Sequence, residues 1–237
     1  MNVLAFVWNA LLYQPILWAL LTLSGILFGN LGLGIIALTL IIRALLVPLT
    51  LPSLKAMQKQ KDIQGELNEL KSKYKDDKKR LAEEQMKLFQ KHGINPAAGC
   101  LPQLLQIIIL IAMYNAFTSV LDKSTHGLAT SFLYLDLTKP DPFIILPGLS
   151  GAAQFWASKL MLPTVKKEEK LAEKTADKTD DIMYNMQEQM LYLAPLMTIL
   201  IGFKLPSGLV LYWFVTTVFS LLQQIWVNNN YGKNART

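Results

Sequence analysis

The side chain with the clearest chemical potential in this sequence is an arginine inside an apolar stretch. Arg43 lies eleven residues after Gly32 in the otherwise uncharged segment 31–54. That is about 16 Å along a helix, near the middle of a hydrocarbon layer about 30 Å thick. A charge at this depth costs roughly 2.5 to 3.5 kcal/mol on insertion scales and normally pairs with a carboxylate, yet the apolar stretches contain no Asp or Glu. Snorkelling from mid-span would not reach the interface, so we favour a water-filled cavity around Arg43.

Uncharged polar side chains recur at helical spacing in the apolar stretches and predict the walls of such a cavity. They are Thr39 beside Arg43, Gln103 and Gln106 on the second stretch, Gln154 and Ser158 on the third, and Tyr212, Thr216, Ser220 and Gln224 on the last. Each set alone is typical of ordinary hydrogen bonding between membrane helices. Together with an arginine that lacks an acidic partner, they favour a hydrated groove. A carboxylate about 4 Å from the guanidinium would gain roughly 4 kcal/mol at an effective dielectric constant near 20, so the groove attracts anionic groups.

The composition and its distribution predict a helical membrane protein. Hydrophobic residues make up 52% of the 237 residues, charged residues make up 17%, and the mean hydropathy is +0.30. A typical soluble domain has about 25% charged residues. Residues 1–42 contain no Asp, Glu, Lys, Arg or His, and most of the charge falls in 55–92 and 159–188. A soluble core mixes charge and apolar residues every few positions, so this pattern largely excludes a soluble enzyme and a disordered chain.

Residue types that carry catalysis or bind metals are scarce. Cys100 is the only cysteine, and the two histidines, His92 and His126, are far apart and have no partners at ligand spacing. The sequence has no glycine-rich phosphate loop, no nucleophile elbow and no HExxH pattern. We therefore predict that the protein is not an enzyme and has no catalytic residue, cofactor or metal.

The apolar runs and their punctuation predict an all-α polytopic fold, a five-span helical bundle with a cytoplasmic helical hairpin and an N-terminal interfacial helix. The predicted segments are the N-terminal helix at 1–30, spans at 31–54, 96–121, 143–162, 190–204 and 206–227, the hairpin at 55–95, an extracytoplasmic loop at 122–142, a cytoplasmic loop at 163–189 and a cytoplasmic tail at 228–237. Pro48 and Pro52 are expected to mark the end of the first span, because proline loosens a helix.

The segment 55–95 carries two apolar rows at helical spacing, separated by a charged run at 75–78. The rows are Ile63, Leu67, Leu70 and Tyr74, then Leu81, Leu88 and Phe89. Two amphipathic helices joined by a short turn favour an antiparallel hairpin over a solvated linker. With 11 basic and 7 acidic residues the hairpin has a net charge of +4. This charge suits contact with anionic lipid headgroups, the ribosome or targeting factors, and an ordinary solvated surface is the alternative.

The distribution of lysine and arginine predicts the orientation. The hairpin, the loop counted from Lys159 and the tail carry 11, 6 and 2 basic residues, whereas the opposite side carries only Lys123, Lys139 and Lys204. Basic residues concentrate in cytoplasmic segments, so the bias of 19 against 3 places the tail inside and, with five spans, the N-terminus outside. Residues 1–30 either lie in the interface or cross the membrane, and the parity of five spans favours the interface.

Several motifs in the same order resemble those of the YidC/Oxa/Alb family of membrane protein insertases. They are GIIALTLIIR at 34–43, PLT at 48–50, QMKLF at 85–89, HGINP at 92–96, GCLP at 99–102, LDL at 135–137, DP at 141–142, ILP at 145–147, Phe203, and PSGLVLYW at 206–213. The resemblance covers nearly the whole chain and is to the short bacterial form, which lacks a large periplasmic domain. One departure lies in the third span, where many members have glutamine before the terminal lysine and this sequence has Ser158 before Lys159.

The resemblance implies a fold, a function and a location. Members form a five-span bundle whose groove opens to the cytoplasm and to lipid, and they insert small membrane proteins alone or beside the Sec translocon. Arg43 matches the family's groove arginine and Trp213 a groove-lining aromatic residue. The implied location is a prokaryotic plasma membrane. The implied partners are nascent membrane proteins and membrane lipids, with the ribosome, targeting factors and the Sec translocon as candidates, and without direct nucleic-acid specificity.

Two other functions fit a polytopic membrane protein. A polar-solute transporter normally shows inverted repeats or paired ionisable residues within its spans, and neither is visible in this sequence. A scaffold for the assembly of membrane proteins would tolerate free replacement of Arg43, which distinguishes it from an insertase.

Overall fold

The computed structural model describes residues 3–74, 77–95, 101–122, 127–161 and 191–232, and its long elements are all helices. The helices are α1 (Val3–Trp8), α2 (Gln14–Ile26), α3 (Leu31–Asp62), α4 (Gln64–Lys73), α5 (Lys78–Lys91), α6 (Leu101–Asp122), α7 (Ile145–Met161), α8 (Leu191–Gly202) and α9 (Ser207–Tyr231). A π-helical turn (Asn9–Tyr13) joins α1 to α2, and two short antiparallel strands, β1 (Ser131–Phe132) and β2 (Leu135–Asp136), precede α7. The predicted loop at 163–189, the start of the second span at 96–100 and residues 233–237 of the predicted tail lie outside the described residues.

The helices confirm a polytopic helical membrane protein. In the described part of the chain, three helices are long and apolar enough to cross a membrane by length and composition: Ala5–Ile26, Leu31–Asp62 and Ser207–Tyr231. Two shorter apolar helices accompany them, Leu104–Val120 and Leu191–Gly202. The first of the long helices falls within the predicted N-terminal segment, whose length and composition therefore also suit a span. The count of five spans stays a prediction.

The helix α3 continues through the two prolines that were expected to mark the end of the first span. It begins at Leu31, where the side chain of Asn30 accepts a hydrogen bond from the Leu33 amide, and it ends at Asp62. Between the prolines, the hydroxyl of Thr50 donates to the Leu46 carbonyl at 3.0 Å. Membrane helices tolerate proline where neighbouring helices and local adjustments satisfy the freed carbonyls, and α3 is continuous through Pro48 and Pro52.

The core of the bundle forms where α2, α3, α6 and α9 meet. Leu20 on α2, Phe117 on α6 and Tyr212 on α9 are among its largest fully buried side chains. The helices α2 and α3 approach closely because small residues lie at their crossing. A Cβ atom added to Gly34 would lie 1.9 Å from Ser24 Oγ and 3.0 Å from Ser24 Cα. Glycine is therefore required at this point of contact.

One end of the bundle is closed by the segment 127–144. The ring of Phe132 packs against Gly32 at the start of α3, where an added Cβ would lie 2.5 Å from the ring. At the start of α9, the amide and the hydroxyl of Ser207 donate to the Lys139 carbonyl at 2.8 and 2.7 Å. The Gly208 amide donates to the Leu137 carbonyl at 3.1 Å. These bonds join the segment to the first turns of two long helices.

A buried carboxylate holds the same segment to the start of α7. Asp141 Oδ2 accepts hydrogen bonds from the Leu146 amide at 2.7 Å and from the Tyr134 hydroxyl at 3.0 Å, and Oδ1 accepts one from the Phe143 amide at 3.0 Å. Burial and the bond to Asp141 raise the pKa of Tyr134, so it remains a donor. A carboxylate also satisfies amides that the first turn of a helix leaves free.

The helices α4 and α5 pack on each other at the opposite end of α3. Their shared cluster consists of Ile63, Leu67, Leu88 and Ile94, and it is separate from the core of the bundle. The start of α4 lies beside the end of α5, because Glu66 on α4 contacts the ring of His92 at 3.2 Å and the amine of Lys91 at 3.8 Å. The two helices therefore run antiparallel, and most of their charged side chains face solvent.

The contact between α2 and α3 predicts a difference between two glycines. Replacement of Gly34 by alanine should lower the unfolding temperature of the detergent-solubilised protein, because overpacking at a tight crossing costs about 1–3 kcal/mol. Gly25 lies one residue from Ser24, and an added Cβ would meet no atom within 4 Å. Gly25→Ala should therefore leave the unfolding temperature unchanged or raise it, since alanine favours helix. Adding Ser24→Ala to Gly34→Ala should recover part of the loss. Equal effects of the two glycine replacements would contradict this account.

Candidate functional site

The guanidinium of Arg43 is held by an uncharged chain of hydrogen bonds across three helices. Arg43 Nη2 on α3 donates to Gln106 Oε1 on α6, and Gln106 Nε2 donates to the Tyr212 hydroxyl on α9 at 3.2 Å. No carboxylate pairs with Arg43 among the described residues, whose ion pairs lie in α4, α5 and the segment before α7. The arginine keeps its full charge while an amide fixes its position. The sequence pointed to both residues but not to their contact, which depends on how α3 and α6 pack.

Arg43 opens onto a cavity of about 410 Å³ that α3, α6, α7, α8 and α9 enclose, which we call the polar cavity. The predicted groove residues that line it are Arg43, Gln106, Gln154, Trp213, Thr216, Ser220 and Gln224. Further polar residues that the sequence analysis missed line it as well, namely Thr50, Thr198, Thr217 and Gln223. Arg43 is the one charged side chain among the described lining residues.

The missed residues follow from helix geometry. The wall formed by α9 is broad enough to take two adjacent positions in one turn, such as Thr216 with Thr217 and Gln223 with Gln224. A search at intervals of four finds only one residue in each turn. Thr50 lies seven residues after Arg43, two turns along the same helix face, so that spacing was a signal available in the sequence.

Four of the predicted residues do not line the polar cavity or are not described in it. The Thr39 hydroxyl donates back to the Ile35 carbonyl at 2.6 Å, and its side chain is buried. Tyr212 is buried, and its hydroxyl accepts a hydrogen bond from Gln106, which lines the cavity. Ser158 is half-buried and does not line the polar cavity, whereas its neighbour Ala157 does. Gln103 belongs to α6, but its side chain lies outside the described residues.

The polar cavity extends from Arg43 toward the later turns of α3. Its lining includes Leu54 and Met57, which lie about 16 and 21 Å further along the helix. A small second cavity follows in the same direction, between Leu54, Leu160 and Asn228. The segment 127–144 closes the other end of the bundle. The polar cavity therefore has one deep end at Arg43 and runs toward the end of the bundle that bears α4 and α5.

Comparison with known proteins connects this arrangement to a family. The family model for the 60Kd inner membrane protein matches residues 22–234. A membrane protein insertase YidC of Oceanobacillus iheyensis is 36% identical over 226 residues, covering 94% of this chain and 84% of the relative. A membrane protein insertase YidC of Fusobacterium nucleatum is 35% identical over 224 residues, covering 94% of this chain and 98% of the relative. The membrane protein insertase MisCA of Bacillus subtilis is 35% identical over 221 residues, covering 91% of this chain and 77% of the relative.

The chain belongs to the YidC family of membrane protein insertases. The family and the insertase function predicted from the motifs are thereby confirmed, as is a multi-pass position in a cell membrane. The YidC insertases are a non-enzymatic class. The polar cavity of this insertase thus belongs to a protein whose work is moving other chains into lipid.

The polar cavity predicts a pattern of water access in the insertase. In a Cys100→Ala background, Ser220→Cys should react with a membrane-impermeant hydrophilic maleimide, because Ser220 lines the polar cavity. Thr216→Cys should react more slowly, since that side chain is only 3% exposed and lies nearer the deep end. Leu222→Cys, on the exposed apolar side of α9, should stay unlabelled because lipid covers it. Lys79→Cys on α5 serves as the labelled control. Equal labelling of positions 220 and 222 would contradict a water-filled polar cavity.

Proposed function

We propose that the polar cavity receives the polar tail of a nascent membrane protein and shortens the apolar layer that this tail must cross. The carrying observation is the single charge of Arg43, fixed by the neutral Gln106 and Tyr212 at the deep end of an otherwise uncharged polar wall. A carboxylate would have neutralised the arginine. An amide leaves it able to attract an acidic group of a substrate.

The physical driving force lies in the substrate. Once its polar tail rests in the polar cavity, its apolar helix moves sideways into lipid, and hydrophobic transfer of about 25 cal/mol per Å² makes this step favourable. The attraction to Arg43 is offset by the loss of the bond to Gln106, which keeps the encounter brief. The step needs no nucleotide, and lateral release follows from the partition of the helix.

The topology of the proposal has the closed end outside and the polar cavity open to the cytoplasm. Five spans, an external N-terminus, an interfacial N-terminal helix and an internal tail agree with the bias of 19 basic residues against 3. The described part of the cytoplasmic side then includes α4 and α5. The segment 127–144, whose only basic residue is Lys139, faces outward.

The helices α4 and α5 are proposed to meet substrates and partners at the mouth of the polar cavity. They bury only a small cluster of their own, and basic side chains such as Lys87 and Lys91 are exposed. In the pair of Glu84 and Lys87, the hydrogen bond between them lowers the pKa of Glu84, so both partners stay ionised near neutral pH. Anionic headgroups, the ribosome, targeting factors and the Sec translocon are the candidate partners for this surface.

Removal of α4 and α5 should impair the delivery of substrates without unfolding the bundle that inserts them. We expect that replacing residues 64–91 with a short glycine–serine linker leaves the unfolding temperature of the bundle nearly unchanged, because the two helices pack mainly on each other. The rate of insertion in cells should fall severalfold. The deletion leaves the whole of α3 in place, because Lys55 on that helix contacts the ring of Tyr231 and belongs to the bundle. Unchanged insertion in cells would show that α4 and α5 have no recruiting role.

The charge at position 43 should select substrates by the charge of their tails. Insertion of two single-span substrates that differ only in tail charge is measured in proteoliposomes by protease protection. Arg43→Ala should slow the acidic tail about tenfold, as a loss of about 1.4 kcal/mol requires, and leave the neutral tail nearly unchanged. Arg43→Lys should retain much of the activity because the charge remains, although the planar guanidinium is lost. Arg43→Glu should be the slowest with the acidic tail.

The control for this series is Arg80→Ala, which removes an arginine on α5, away from the polar cavity. Because this charge lies outside the polar cavity, any effect of its removal should be the same for the acidic and the neutral tail. Equal losses for the acidic and the neutral tail in Arg43→Ala would reject attraction as the role of this charge.

A further inference from the structure

Most of the residues that line the polar cavity lie beyond the reach of Arg43 and carry no charge. We propose that three side chains on successive turns of α9, Thr216, Ser220 and Gln224, form a surface that binds the extended backbone of the translocating tail. We call these three residues the polar ladder. The proposal rests on the proposed function and adds the chemical group that is recognised, namely peptide N–H and C=O groups irrespective of sequence.

Some polar side chains that line the cavity already have hydrogen-bond partners, and others do not. The hydroxyls of Thr50, Thr198 and Thr217 each donate to a carbonyl of their own helix, at 3.0, 3.0 and 2.9 Å. Gln224 Oε1 is buried and has no hydrogen-bond partner in the described part of the chain, and Thr216 Oγ1, which is buried near the Tyr212 hydroxyl, has no partner with hydrogen-bond geometry there. A buried polar atom without a partner is costly, so such atoms indicate water or a ligand.

Ser220 completes the polar ladder between these two residues. It lines the same cavity, and no hydrogen bond of its side chain is found within the described residues. Across the cavity, Gln154 on α7 is also without a hydrogen bond among the described residues, so available groups face each other from two helices. Water and a peptide ligand would each satisfy these unpaired groups, and the spacing of the groups distinguishes the two.

The spacing of the polar ladder matches an extended chain. Residues four apart on a helix repeat about every 6 Å along its axis. In an extended chain the peptide groups that point to one side repeat every two residues, or about 6.6 to 6.8 Å. Over the three rungs the mismatch is about 1.4 Å, which the long side chain of Gln224 can absorb. The ladder is about 12 Å long and therefore serves about four residues of an extended tail.

The hydroxyl and amide groups of the polar ladder are better suited to bind peptide backbone than charged side chains. Hydroxyl and amide groups both donate and accept, which is what alternating peptide N–H and C=O groups require. An unpaired peptide group in an apolar layer costs several kcal/mol, so any polar tail gains from this support. The ladder would thus carry tails of any sequence along the polar cavity, while Arg43 acts only on acidic groups at its deep end.

The test compares tails of equal atomic composition that differ in whether their backbone can donate hydrogen bonds. A single-span substrate is synthesised with a tail of six alanines or of six sarcosines, which are isomers, sarcosine lacking the N–H. Insertion into proteoliposomes is measured for the unchanged insertase and for the triple variant Thr216→Val, Ser220→Ala and Gln224→Met. The triple variant should slow the alanine tail about tenfold, and the sarcosine tail by no more than about threefold, since only carbonyl bonds remain there. Leu222→Ala on the opposite side of α9 should affect neither tail.

Two further measurements keep the outcome decisive. Gln224→Met alone, checked for a monodisperse detergent complex, should slow the alanine tail about two- to threefold if the triple variant does not fold. Equal slowing of the alanine and sarcosine tails would overturn the proposal and leave the ladder as a holder of water. Slowing confined to acidic tails would also overturn it. Arg43→Ala with acidic and neutral tails is run in parallel, so a failure of the role of Arg43 is seen separately from a failure of the ladder.

Discussion

The structure depends on how a single guanidinium is accommodated among apolar helices. A charge in the middle of a span is costly to bury, and the usual solution is a carboxylate on a neighbouring helix. Here the partner is the amide of Gln106, which the Tyr212 hydroxyl holds from the other side. This chain joins α3, α6 and α9 without neutralising the arginine. The polar cavity in front of Arg43 follows from that choice, because an ionised group with a neutral partner still requires solvation.

The two ends of the bundle are built differently. At the closed end, glycines let side chains and backbone come together: Phe132 lies on Gly32, and Ser207 and Gly208 bond to the segment before α7. Toward the other end, α3 carries Pro48 and Pro52, and the cavity is lined by threonines and glutamines together with apolar residues such as Leu54 and Met57. Dense packing at one end and polar lining at the other give the bundle a direction, which a protein that moves chains from one side of a membrane requires.

The polar wall divides recognition into two kinds. Arg43 provides charge at one depth, whereas α9 provides uncharged donors and acceptors over several turns. An insertase must accept many sequences, and a wall made only of charges would select a few of them. Hydroxyl and amide groups meet what every polypeptide has in common. Brief binding also requires weak individual contacts, and neutral hydrogen bonds in a hydrated space contribute only about 0.5–1.5 kcal/mol each.

The sequence by itself determined the class of the protein, its family and most of the polar residues that line the cavity. The absence of charge from 1–42, the mid-span Arg43 and the residues spaced by four on α9 are local properties, so they can be seen in one dimension. The prolines at 48 and 52 do not end α3, because the effect of a proline on a membrane helix depends on the neighbouring helices, which the sequence does not show.

Only the tertiary structure decided which of these polar residues meet. The bond from Arg43 to Gln106 joins residues 63 positions apart, and Thr39 turns back to its own helix although it shares a face with Arg43. Helical spacing fixes the direction of a side chain around one axis. The packing of five helices decides what lies in that direction, because each neighbour's position depends on small residues such as Gly34 that let two backbones approach.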